Sequence, residues 1–287
     1  MGSTSKQMQQ RPAWYVWAYF ALVALLAFGS TFFVMALAGR TTDASLAWLL
    51  KCALVMVSVV ALTAFYLRRD NLYWSRYGVR AEPRALAYGS AGLLGGLMQA
   101  LGWAGIVGYW APFHWQSNPA LRWDALITGT FASLAIGVAE EVGYRSYGME
   151  RLHKAYGPAA AAILPTTIFV AAHLAGGLAW LPGLLVVGSG GLLYASLMLA
   201  TRSLPFVAAF HIANNLAQDA LLRTSDGSIW RPVFQDAAQA QSNDLPIWLS
   251  MGLLNLTVAA CAWRYRARFE SACANNGPTE ESTRGPA

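Results

Sequence analysis

Charge is what this chain has least of. Only 12 % of its 287 residues are Asp, Glu, Lys or Arg, where a soluble globular protein carries about 25 %. Three cysteines are too few and too scattered for a disulfide framework or a metal knuckle: Cys52 and Cys261 lie in apolar runs and Cys273 in a polar tail. A cleavable signal peptide is not expected, because the polar start MGSTSKQMQQRP leads into an apolar stretch too long for a signal core. There is no sequence repeat and no evident hydropathy symmetry of the kind many transporters carry.

What is present in excess is apolar and aromatic. Hydrophobic residues make up 56 % of the chain, with twelve each of Trp, Tyr and Phe, and the mean hydropathy is +0.39. Aromatic residues in such numbers suit the belts that form at lipid–water interfaces. The expected fold class is therefore all-α, a polytopic membrane protein, with membrane lipids as its surroundings.

A membrane-crossing helix needs about 20 mostly apolar residues. Eight stretches qualify: about 14–38, 46–66, 85–109, 125–141, 158–174, 181–200, 204–220 and 245–263. The third contains GSAGLLGG, a run of small residues suited to close helix packing. The seventh is the least hydrophobic. A probable turn, SDG, sits in the polar loop after it. Residues 1–13 read as an N-terminal tail, 14–268 as the transmembrane domain, and 269–287 as a disordered tail.

The net charge of +6 could suggest nucleic acid, but the basic residues flank apolar runs, so no nucleic-acid partner is expected. Arg68, Arg69, Arg76, Arg80 and Arg84 sit between spans two and three. Arg145, Arg151 and Lys154 follow span four, Arg202 follows span six, and Arg264, Arg266 and Arg268 follow span eight. With eight spans all of these fall on one face. The other face has Arg40, Arg122, Arg223 and Arg231 against six aspartates. The positive-inside bias then places both termini in the cytoplasm.

Against this background the ionisable residues inside apolar runs stand out, because such groups are costly in hydrocarbon unless paired, hydrated or used. Glu140 and Glu141 close the fourth stretch, in FASLAIGVAEEVGYRSYG. Arg145 is one helical turn from Glu141, while Glu140 points about 100° away, so one acid can pair with Arg145 and the other can face a hydrated cavity as a general base. His173 lies in the fifth stretch, four residues after Phe169. His211 lies in the seventh with Asn215 one turn on, a polar stripe from which Asn214 faces away. Each pair alone reads equally as an interhelical polar contact. Spans four, five and seven all carrying such groups together point to one shared buried site.

The order Glu140-Glu141-Arg145, Phe169-His173, His211-Asn215 resembles the EExxxR, FxxxH and HxxxN/D motifs of the CPBP family of intramembrane proteases. That family includes the CAAX prenyl-endopeptidases and bacterial Abi-type proteins. The resemblance covers about residues 125–220. The chain departs from the usual pattern at Tyr144, where Phe is common, and at Ser146, where Gly is frequent; neither change removes a reactive group.

The resemblance implies an endopeptidase in which Glu140 activates water held with His173. His211 and Asn215 would complete the water site or support the oxyanion, and Glu141 and Arg145 would organise the helix and orient the groups around the water, with a direct role for Glu141 left open. It implies no obligatory cofactor. If zinc were bound, Glu140, His173 and His211 would be its ligands. The implied substrate is a membrane-associated or lipidated peptide or protein, reached from the cytoplasmic side of a bacterial inner membrane. A non-catalytic scaffold or immunity protein, or a transporter using the buried charges, are the readings from other classes.

Overall fold

The computed structural model describes residues 12, 14–38 and 44–275. The rest of the expected tails, 1–11, 13 and 276–287, lies outside the described residues. Nine α-helices are described. In chain order they are α1 (Trp14–Ala38), α2 (Ala44–Arg69), α3 (Pro83–Trp110), α4 (Trp123–Arg145), α5 (Tyr147–Ala175), α6 (Trp180–Thr201), α7 (Leu204–Leu221), α8 (Ala237–Ser242) and α9 (Asp244–Asn275). The all-α class holds, with one addition that the apolar pattern does not announce. Two short strands, β1 (Phe113–Ser117) and β2 (Trp230–Phe234), pair antiparallel. Helix α9 runs to Asn275, so part of the expected polar tail is helical.

Six helical stretches among the described residues are long and apolar enough to cross a membrane, fewer than the expected eight. The difference has two sources. One stretch, Trp123–Ala175, is 53 residues long and reverses at Gly157. Helix α7 is outside the six, because its polar residues lower its hydropathy.

Gly157 has φ +83°, a left-handed conformation that L side chains rarely adopt, and Pro158 starts the return. The chain therefore turns at Gly157 rather than just after Glu141. Ser146 is only a kink, with its hydroxyl donating to the Val142 carbonyl. Tyr144 and Phe169 are almost equidistant in sequence from Gly157, as are Glu140 and His173. At 1.5 Å rise per residue the latter two lie about 25 Å from the turn along each limb. The glutamates are thus buried in the bundle and level with His173, in the last two turns of α4.

Contacts between linkers sort the two ends of the bundle. At one end, Tyr147 donates to Asp70 at 2.7 Å, Tyr77 donates to Glu150 at 2.7 Å, and Arg76 pairs with the same carboxylate. Gly78 (φ +73°) packs on the α6–α7 turn, where an added Cβ would lie 3.2 Å from the Ser203 Cα. The α2–α3, α4–α5 and α6–α7 linkers therefore share one face, the arginine-rich one. At the other end β1 pairs with β2, and Asn118 donates to the carbonyls of Ser225 and Ser228, both at 2.9 Å. That turn contains the expected SDG, with Ser228 N–H donating to the Ser225 carbonyl at 3.1 Å.

Small residues set the depth of packing around α7. A Cβ on Gly92 or Gly96 of α3 would fall 2.2 Å from the Phe206 carbonyl oxygen or 2.0 Å from that of Phe210. A Cβ on Gly137 of α4 would meet Ile212 at 2.6 Å. Close backbone approach of this kind replaces the hydrophobic drive that helices lack in lipid. It holds α7 between α3 and α4 and brings His211 against the glutamates.

Candidate functional site

The centre of the site is His211. Its Nδ1 donates to Glu141 Oε1 at 2.8 Å, and its Nε2 lies 3.6 Å from Glu140 Oε2. The imidazole thus bridges the two adjacent acids. Its ring stacks on Tyr194 of α6, with centroids 4.5 Å apart and planes at 23°. Phe169 approaches edge-on at 6.5 Å.

The two glutamates differ in access. The Glu141 side chain is 1 % exposed and that of Glu140 is 20 % exposed. Glu141 Oε2 lies 3.7 Å from Arg145 Nε, and Arg145 is itself fully enclosed. Arg145 Nη2 donates to the Gly191 carbonyl at 3.2 Å, and its guanidinium carbon sits 5.4 Å from the Phe169 ring centre. A buried carboxylate and guanidinium each need a counter-charge, since removal from water costs several kcal/mol per ion. Helical phase supplies it at i, i+4.

His173 lies half-buried on α5. Its Nδ1 donates to the Phe169 carbonyl at 2.9 Å, and in a neutral ring this makes Nε2 the acceptor. It is within electrostatic reach of Glu140. Its ring also packs on Phe169 at 4.4 Å, and Phe169 in turn meets Tyr144 edge-on at 5.3 Å.

Asn215 occupies a different place from its neighbours in the motif. It lines a cavity of about 520 Å³ between α4 and α7, with Ser133, Ile136 and Asp219. Ser133 donates to Asp219 at 3.1 Å across that wall, and Arg223 donates to the same carboxylate at 2.6 Å. The mouth is formed by Arg122, Ser225 and Asp226, at the end of the bundle that carries the β1–β2 pair. Asn214 is the more buried of the two asparagines. Its Oδ1 accepts from Gln218 at 2.5 Å.

So Glu140, Glu141, Arg145 and His211 converge, His173 stands beside them, and Asn215 faces the cavity next to them. Tyr194, the Gly191 carbonyl, Gly137 and the Ser133–Asp219 contact were not legible as site components. Span six carries no acidic, basic or histidine side chain, and a glycine or tyrosine in an apolar run gives no spacing signal.

The donors do not fit a zinc ion as arranged. Among the described residues no group of three or more His, Cys, Asp and Glu side chains is placed to hold a metal. His211 already presents one nitrogen to each glutamate.

Residues 122–217 match the family model described as Rce1-like, type II CAAX prenyl endopeptidase. The match covers α4, α5, α6 and most of α7, and it contains all three motifs, so the family resemblance holds over this segment. No curated protein and no solved structure matches the chain.

Proposed function

We propose that the chain is an intramembrane endopeptidase that hydrolyses a peptide bond of a membrane-associated or lipidated substrate with glutamate-activated water. The family match supports protease activity of the CAAX type at the level of the family. The observation that carries the chemistry is the unequal pair of acids around His211. Glu140 is the more exposed of the two, and Glu141 is spent on His211 and Arg145.

Proton counting gives the roles. With both Nδ1 atoms donating, the Nε2 atoms of His173 and His211 are acceptors, and so is the Glu140 carboxylate. One water has two protons for three acceptors, so the site needs one further proton. We place it on His211, between two carboxylates. With Arg145 this makes two positive charges against two negative ones, a neutral cluster suited to a low-dielectric interior. Glu140 takes a proton from the water as its oxygen attacks the carbonyl carbon. His211 N–H and the Asn215 amide stabilise the oxyanion. Glu140 then delivers its proton to the leaving nitrogen as the C–N bond breaks, leaving a carboxylic acid and an amine.

The reading of both termini and the arginine-rich face as cytoplasmic, in a bacterial inner membrane, remains part of this proposal. The cavity that reaches Asn215 opens at the opposite face. Entry through it would bring substrate from the face opposite the arginine-rich one.

The direct test compares peptide termini in the membrane proteome of cells carrying wild type or Glu140→Gln. Termini present only with wild type support the protease. An unchanged set, with normal biological output from the variant, favours a scaffold, and ion-coupled uptake by reconstituted protein favours a transporter.

A further inference from the structure

The two short strands, at the end of the bundle opposite the arginine-rich face, have unequal edges. Antiparallel pairing alternates hydrogen-bonded and non-bonded residue pairs. Gln235 N–H donates to the Pro112 carbonyl at 2.9 Å and Asn118 N–H to the Ile229 carbonyl at 3.1 Å, one at each end of the register that pairs Phe113 with Phe234 and Ser117 with Trp230. The bonded positions of β1 are therefore the even-numbered ones. The backbone N–H and C=O groups of Phe113, Trp115 and Ser117 point away from β2. On β2 the outward positions are Trp230, Pro232 and Phe234. Pro232 is buried and has no N–H, so that edge is closed to a further strand. The β1 edge is exposed from His114 to Ser117, and among the described residues no third strand covers it. Such an edge is a template for another extended chain.

This edge ends at the mouth of the cavity that reaches Asn215. Asn118 follows β1 and holds the carbonyls of Ser225 and Ser228, and Arg122 N–H donates to the Asp226 carbonyl at 2.8 Å. Arg122, Ser225 and Asp226 line the mouth. The Trp115 indole N–H donates to the Leu221 carbonyl at 2.9 Å, which fixes the strand to the end of α7. Tyr109, Trp123 and Trp230 are exposed nearby, side chains suited to a lipid–water boundary. Hydrolysis needs an unwound substrate backbone, because helical N–H and C=O groups are bonded within their own segment. Unwinding at a membrane frees those groups, which are costly unless paired again.

We propose that the β1 edge binds an extended segment of the substrate polypeptide as a third strand, at the entrance to this cavity. The outward groups of Phe113, Trp115 and Ser117 pair with the substrate backbone, so the edge selects an extended conformation rather than a particular side chain. Arg122 lies about 27 Å from Glu140 along α4 at 1.5 Å per residue, a span of about eight residues of extended chain. The scissile bond lies at least that far from the paired segment. Naming the occupant as substrate rests on the protease reading; the strand pairing itself does not.

The test uses the full-length Glu140→Gln protein in detergent, so that binding is read without turnover. The probe is a fluorescein-labelled, lysine-flanked peptide of alternating threonine and valine, followed by fluorescence anisotropy. Adding Ser117→Pro removes one outward N–H and leaves the β1–β2 bonds in place, and it should weaken binding about tenfold. Ser117→Ala keeps the N–H and should bind as the parent does. A probe N-methylated at every residue should not bind, whereas one N-methylated at alternate residues keeps a free edge and should. In cells, Ser117→Pro in the otherwise wild-type chain should reduce the peptide termini that depend on wild type. No binding by the parent, equal binding after Ser117→Pro, or retained binding of the fully N-methylated probe would overturn the proposal. A dimer that is lost in Ser117→Pro, with no binding of the peptide, would assign the edge to a second copy of the chain instead. Ser117-dependent binding without any wild-type-dependent termini would sustain the strand pairing and sink the protease reading. Wild-type-dependent termini that Ser117→Pro leaves unchanged would do the reverse.

Discussion

His211 donates to Glu141 through Nδ1 at 2.8 Å and turns Nε2 toward Glu140 at 3.6 Å. One ring therefore distinguishes two carboxylates that are adjacent in sequence, and the first prediction follows from that difference. Glu140→Gln should lower the cleavage rate by about 10²–10⁴ while leaving the melting temperature in detergent near wild type. Glu141→Gln should also melt earlier, because it leaves Arg145 charged and enclosed, a change that costs about 3 kcal/mol or more. Equal melting of the two variants would contradict the division of labour.

The packing of α3 on α7 gives a second prediction. Gly96→Val would drive a side chain into the Phe210 carbonyl, the residue before His211. It should lose cleavage and thermal stability together, although Gly96 belongs to no motif. Gly89→Val, on the same helix with open space around it, should be close to neutral. Parallel melting curves and cleavage assays of both variants decide this.

The cavity beside Asn215 can be probed by thiol labelling after replacing Cys52, Cys261 and Cys273. Thr130→Cys lies in its wall. A bulky maleimide there should block cleavage, whereas the same reagent on Arg80→Cys, at the opposite face, should not. Full activity of the labelled Thr130→Cys protein would remove this cavity as the substrate path.

Orientation is tested in the same background. A membrane-impermeant reagent added to intact cells should reach Ser225→Cys, with Arg80→Cys labelled only after permeabilisation. The reverse pattern would invert the bundle and make the cavity face the cytoplasm.

Purified active protein should keep its activity after prolonged treatment with a chelator, with metal content followed by elemental analysis. Loss on chelation and recovery with zinc would mean that His211 and the glutamates rearrange around a metal.

The helical membrane class and the chemical groups of the site were legible from residue type and order. A helix in lipid must be long and apolar, and an acid or imidazole within one is conspicuous for its solvation cost. The small-residue run in α3 was also readable, and it is where α7 approaches. What the sequence left open depended on where the chain turns. A reversal after Glu141 would have placed the acids at the membrane edge. Gly157, in a left-handed conformation, moves the turn and brings Glu140 level with His173. Hydropathy cannot see this, because the buried stretch 147–152 contains Glu150 and Arg151 and so reads as a polar linker.

By itself the sequence determined that this is a helical membrane protein with two carboxylates, an arginine, two histidines and an asparagine at family-like spacing. Helical phase also separated Glu140 from Glu141. Only the tertiary structure decided what each one meets. Side-chain partners lie across helices, and their distances depend on how closely backbones approach at Gly92, Gly96 and Gly137. That approach sets His211 between the two acids and leaves Glu140 as the more exposed of them.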